Sequence, residues 1–267
     1  MALPVRGLAD VACESVLVAG GGCAILLQLA NPGVGHGVAE HSDFSARPLN
    51  RLTATLTYIY AVVYGTADEL AFVRRRVNRA HARVHDDGTG DPAYDAYDPA
   101  LQLWVAATLY RTATDLHERL FGPFEEAVGE RIYQEYAALG TSLQMPAELW
   151  PADRTAFEHY WSQQLRTLRV DDAARTVATV LLHSRTMPWP LRPAMPLVRL
   201  VTAGLLDPPL RDQFGLPWSA RRQRRFDRLI RFTGAAVPRL PARVRHALRD
   251  HYLRGLRREI RAEPARR

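Results

Sequence analysis

The sequence contains no lysine. Its 35 basic side chains are all arginines, set against 28 acidic ones for a formal net charge of +7. Without an amine side chain there is no residue for a Schiff base, for attachment of pyridoxal phosphate or for a P-loop. A uniform loss of lysine also matches codon bias toward G+C, so the absence carries no function by itself. It leaves a guanidinium-rich surface suited to bidentate contacts with carboxylates and phosphates. Cysteine is nearly as scarce: Cys13 and Cys23 stand without Cys-x-x-Cys spacing or a neighbouring histidine pair. That argues against a disulfide framework and a structural zinc site, and points to a reducing cytoplasm. Long apolar runs are missing too. Residues 16–30 form a run too short to span a bilayer and hold three successive glycines. Residues 1–10 carry one arginine and no twin-arginine signal. The expectation is a soluble, cytoplasmic protein without a transmembrane segment.

What is present is helical periodicity. With 267 residues, 47% hydrophobic and 24% charged, the chain has the ordinary globular balance and a size at which one unit is the default. Strand signals are weak. Helices are expected over 8–29 with a break at Gly20–Gly22, then over 51–64, 68–84, 99–120, 123–139, 151–168, 171–184, 193–206, 219–232 and 241–260. Asp98-Pro99, Gly122-Pro123, Trp150-Pro151 and Leu240-Pro241 read as helix starts, Ser219 as a cap and Asp68 as a first-turn acid. Residues 85–98, rich in Asp, Gly and Tyr, read as a surface loop. No repeat and no linker composition is visible, so the expectation is all-α, in a single domain spanning 1–267.

Nearly half of the arginines fall after Arg211, from the 221–225 cluster onward and through a helical tail over 236–267. Such clusters can meet nucleic acid or anionic membrane. No helix-turn-helix, zinc-finger or RNA-recognition signature accompanies them, so a solvated helix face is preferred and no specific nucleic acid is expected.

Position on a helix face sorts the histidines. His81 lies on an apolar stripe with Leu70, Val73, Val77 and Val84, while Arg74, Arg75, Arg76, Arg79 and Arg83 take the other face. A histidine on a core-facing stripe needs a partner for its ring nitrogens, and a backbone carbonyl or a metal ion both qualify. In the preceding helix Arg51 and Thr55 stand one turn apart, among Leu52, Leu56, Ile59, Tyr60 and Val63. A buried arginine needs an anion, either a carboxylate of this chain or the acid group of a ligand. Upstream, 31–42 packs Gly33, Gly35 and Gly37 with His36, Glu40 and His41. Glycines permit close approach of a flat or bulky ligand. The i, i+5 spacing of His36 and His41 keeps them off one helical face. Zinc-protease, di-iron, nucleophile-elbow and Rossmann patterns are all absent.

Taken in order, several segments resemble one superfamily: 24–32, Gly37-Val-Ala-Glu-His41, Arg47-Pro48-Leu49-x-Arg51-Leu52-x-x-Thr55, 61–66, the 81–84 segment, 94–105, 146–161 and 204–218. That superfamily is the mpaB-type oxygenases and rubber oxygenases, or latex clearing proteins, and the likeness covers residues 10–235. The resemblance implies an all-α fold with a globin-like core and a b-type haem held by one histidine. It implies His81 as the axial iron ligand, with His85 as the fallback, and places Arg51 and Thr55 at the haem pocket, with Arg51 able to pair with a propionate. His41, backed by His36, is the candidate for proton transfer on the opposite side. Tyr58 and Tyr60 are candidate pocket residues, and Glu40 is the acid nearest the rubber oxygenases' catalytic glutamate. Ala54 replaces the lysine of rubber oxygenases, and Ala106 replaces a histidine many relatives carry. Polyisoprene is therefore not the expected substrate.

Three functions follow as expectations. The first is a haem-b oxygenase that activates dioxygen or a peroxide on a small apolar substrate. The second is a non-catalytic haem carrier or sensor, and the third a haem-free helical module that binds acidic partners through its arginines.

Overall fold

The computed structural model describes residues 5–41, 48–87, 90–183 and 189–263. The chain is all-α. The helices are α1 (Leu8–Ala12), α2 (Gly21–Leu29), α3 (Pro32–His41), α4 (Pro48–Tyr64) and α5 (Ala67–His81). They continue with α6 (Pro99–Phe121), α7 (Glu126–Tyr136), α8 (Ala138–Thr141), α9 (Arg154–Thr167) and α10 (Asp172–His183). The last are α11 (Met195–Leu205), α12 (Pro208–Gln213), α13 (Ala220–Ala236), α14 (Ala242–Arg245) and α15 (Ala247–Ala262). Among the described residues the sole β-type pairing is an isolated bridge between His85 and Asp95. No single described helix is long and apolar enough to cross a membrane.

Local signals explain several boundaries. Asp98 caps α6, accepting from the Ala100 and Leu101 amides, with Pro99 in the first turn. Thr66 and Glu69 form a reciprocal capping box at the start of α5. Ser219 caps α13 as expected. Other starts move: α9 begins beyond Pro151, where Asp153 supplies the cap, and α7 begins at Glu126 rather than near Pro123. The expected break at Gly20–Gly22 is corrected. The chain interrupts earlier, after α1, passes through a 3-10 turn over Ser15–Gly20, and Gly21 and Gly22 open α2.

The largest difference is α3, a helix in the glycine-rich stretch where no helix was expected. Gly33, Gly35 and Gly37 are all buried. A Cβ on Gly35 would lie 2.6 Å from the Leu29 carbonyl oxygen, so the close packing of α3 on α2 requires glycine there. Tertiary contact thus outweighs the poor helix propensity of these residues.

One apolar core runs from Leu8 to Leu256. At its centre Trp104 of α6 stacks on Trp161 of α9, ring centres 5.1 Å apart, and its indole N–H donates to the Leu27 carbonyl. Cys13 and Cys23 are both buried free thiols, and burial pushes them up to about 11 and about 12. Among the described residues Cys13, Glu14 and His246 form a group of metal-ligand type. Both Glu14 oxygens, however, accept from Arg245, which makes this a structural ion pair joining the first helix to the last ones.

The arginine-rich C-terminal segment is only partly the solvated face that composition suggests. Helix α15 packs along α4 and α5: Tyr252 stacks on Tyr60, and Leu253 joins Leu56 and Tyr60 in a second small core. Arg257 Nε donates to Glu69 Oε1 at 2.7 Å, and Arg76 Nη1 to Glu259 Oε2 at 2.6 Å.

Candidate functional site

Helices α3, α4, α5 and α6, with the 94–96 segment and the residues around α8, enclose a cavity of about 420 Å³. That is within the range of small-molecule and cofactor sites. His41, Arg51, Thr55 and His81, from three different helices, all line it. So do Ala54 and Ala106, the two positions that depart from the rubber-oxygenase pattern. Most of the remaining wall is apolar, including Val38, Leu101, Val105, Leu109 and Leu143.

His81 ends α5, one turn beyond Val77, and both reach the cavity. Its Nδ1 is buried and has no hydrogen-bond partner. Burial lowers its pKa, the Arg51 charge lowers it further, and Asp95 acts weakly the other way. The ring is therefore a neutral imidazole with an unused lone pair or N–H, the form that ligates a metal. Arg51 is half-buried in the same wall, where desolvation works against its own charge. A ligand carboxylate reaching it would gain a strong charge-assisted partner.

Elsewhere on the wall His41 Nε2 lies 2.9 Å from the Tyr94 hydroxyl, which donates to Glu40 Oε2 at 2.8 Å. With the phenol proton on Glu40, His41 Nε2–H is the donor and its other nitrogen the acceptor. Burial, then the bond to Glu40, pushes the Tyr94 hydroxyl up to about 12, so it stays protonated at neutral pH. Gln28 and Gln102 also line the cavity, each committed elsewhere: Gln28 to Thr108, and Gln102 to Gln144 and the Ala96 carbonyl.

Several expectations require correction. Tyr58 lines the cavity, but Tyr60 faces away and packs on Tyr252. His36 does not back His41; its Nε2 pairs with Asp171 Oδ2 at 2.8 Å and ties α3 to the start of α10. His85, the fallback ligand, is exposed and is not on the cavity wall. Arg76 leaves the arginine face assigned to it and lies on the wall, held by Glu259. Tyr94 and Gln28 were missed as individual site residues, although both sit in the segments that carry the resemblance.

The family model described as ER-bound oxygenase mpaB/B'/Rubber oxygenase, catalytic domain, matches residues 10–235. The chain belongs to that family of oxygenase catalytic domains. Two uncharacterized proteins, from Mycobacterium tuberculosis and Mycobacterium bovis, are each 40% identical to it over 225 residues, covering 82% of this chain and 88% of theirs. No solved structure matches the chain.

Proposed function

We propose that the protein is a haem-b-dependent oxygenase acting on a small, largely apolar molecule, with His81 as the residue that would hold the iron. The observation that carries this reading is the buried, unpartnered Nδ1 of a neutral His81 on the wall of a cavity that also holds Arg51. An orphaned buried imidazole nitrogen is costly in a finished core and is accounted for by a ligand. The donor set fits: one imidazole, one half-buried guanidinium for a propionate, and apolar walls for a macrocycle. Bound haem would supply redox chemistry toward dioxygen or a peroxide.

The chain's own residues have separate tasks. His81 would hold the cofactor, and Arg51, by its fixed charge, would orient the acid edge while keeping His81 unprotonated. Thr55, one turn from Arg51, shapes the same wall. The apolar residues of α6 would exclude water and select an apolar substrate. His41 would exchange a proton at its ring, steadied by the hydrogen bond to Tyr94 and, through it, by Glu40. Ala54 and Ala106 leave small side chains where relatives place bulky basic ones, so space there is available to substrate. The two buried free thiols favour a reducing, cytoplasmic setting.

The test is an absorption spectrum of the protein purified after expression with haem supplied, as isolated and after dithionite, beside His81→Ala. A Soret band that is lost or displaced in the variant is expected. Absence of any Soret band after reconstitution, or an unchanged band in His81→Ala, overturns the assignment. Oxygen uptake with apolar substrates then separates an oxygenase from a carrier.

A further inference from the structure

Helix α13 carries six arginines and one acidic residue, Asp227. Arg221, Arg224, Arg225, Arg228 and Arg231 recur at i, i+3 and i+4 and are all exposed, so they form one face. The other face is committed to the core, with Phe226 buried against Gly204 of α11. Among the described residues none of the six pairs with a carboxylate. Asp227 accepts from Gln223 instead. Asp227 is the one carboxylate on the helix, so the face stays strongly basic. Arg224, Arg228 and Arg231, with Asp227, outline a surface hollow of about 210 Å³, and guanidinium groups converging on such a hollow suit a phosphate.

The same helix ends in bare apolar side chains. Phe232 is 71% exposed, and past the turn after α13 Leu240 is 43% and Val244 54% exposed. Isolated exposed apolar residues need no explanation. A basic helix face that runs into exposed aromatic and aliphatic side chains is the composition of a helix lying in a membrane interface. A nucleic acid would satisfy the charge and leave Phe232, Leu240 and Val244 unexplained.

We propose that α13 and the segment 237–244 dock the protein on an anionic lipid surface. The arginines engage headgroup phosphates while Phe232, Leu240 and Val244 enter the boundary with the acyl chains. This surface lies outside the His81 cavity and does not depend on the haem assignment.

Co-sedimentation of the full chain with phosphatidylcholine vesicles, and with vesicles containing phosphatidylglycerol, tests it. The protein is expected to sediment with the anionic vesicles only, and to be released by salt. At roughly fivefold per arginine near the surface, the triple variant R224Q/R228Q/R231Q loses about a hundredfold in partition. Phe232→Ser weakens partition while leaving its salt dependence unchanged. These positions are exposed, and circular dichroism checks that both variants keep their helix content. Equal sedimentation with neutral vesicles, no sedimentation with either, or wild-type partition in both variants overturns the proposal. So does displacement from the vesicles by an oligonucleotide that Phe232→Ser binds as tightly as the wild type, which would assign the face to nucleic acid.

Discussion

At the scale of single residues, histidines in this chain divide by whether their surroundings supply a partner. His36 and His41 have polar partners, whereas His81 keeps an unpartnered nitrogen on the cavity wall. His117 is buried on α6 and stacked on Phe124 with ring centres 4.5 Å apart, and neither of its nitrogens has a hydrogen-bond partner among the described residues. Burial pushes it down to about 4. The unfolded chain, with a pKa near 6.5, therefore binds the proton first as pH falls. Its contribution is fully present above about pH 6.5 and is lost as pH falls toward 4, amounting to about 3 kcal/mol. His117→Phe is expected to flatten that part of the stability–pH curve with little change at pH 7. Urea midpoints at neutral and mildly acidic pH, for both proteins, measure it. The key cavity residues were legible before the structure: Arg51 and Thr55 through their one-turn spacing, His81 through its place on an apolar stripe, and all three through the order that the sequence resemblance implies. Tyr94 was not, because its role depends on the 94–96 segment lying against α3, where its hydroxyl meets His41 and Glu40, and a loop's return path leaves no periodic trace.

At the scale of elements, the long amphipathic helices declared themselves through apolar spacing and caps, as at Asp98-Pro99 and Ser219. Helix α3 did not, since proline and alternate glycines count against a helix until the neighbour they pack on is known. The same physics gives opposite expectations for two glycines. Gly35→Ala drives a methyl into the Leu29 carbonyl and is expected to cost about 1–3 kcal/mol. Gly21→Ala sits in helical backbone with open space around it, and is expected to stabilise by about 0.5 kcal/mol. Thermal unfolding of the two variants reads out both signs; a gain from Gly35→Ala would mean α2 and α3 pack less closely than described.

At the scale of the whole molecule, the family match ends at residue 235, yet the packing does not. Helix α15 covers Leu56 and Tyr60 on α4 and holds Arg76 of the cavity wall through Glu259. The sequence showed this segment as a basic tail because its arginines outnumber the few apolar residues that make the contact. Leu253→Ala is expected to destabilise by about 2–4 kcal/mol, as a central core truncation would. Denaturant unfolding measures it, and a loss below about 0.5 kcal/mol would mark α15 as an appendage rather than part of the fold.

The glycines of α3 also bear on how such a site diversifies. Where Gly33 and Gly37 line the cavity, main chain stands in for side chains, and a Cβ at either would crowd Leu101, Tyr94 or Val84. A side chain enters there only where those neighbours give way by a few tenths of an ångström. Under the proposed function, room to vary the substrate lies instead on the α4 and α6 side, where Ala54 and Ala106 are small. One stretch of the wall is thus set by close packing of main chain, and another by the size of two side chains.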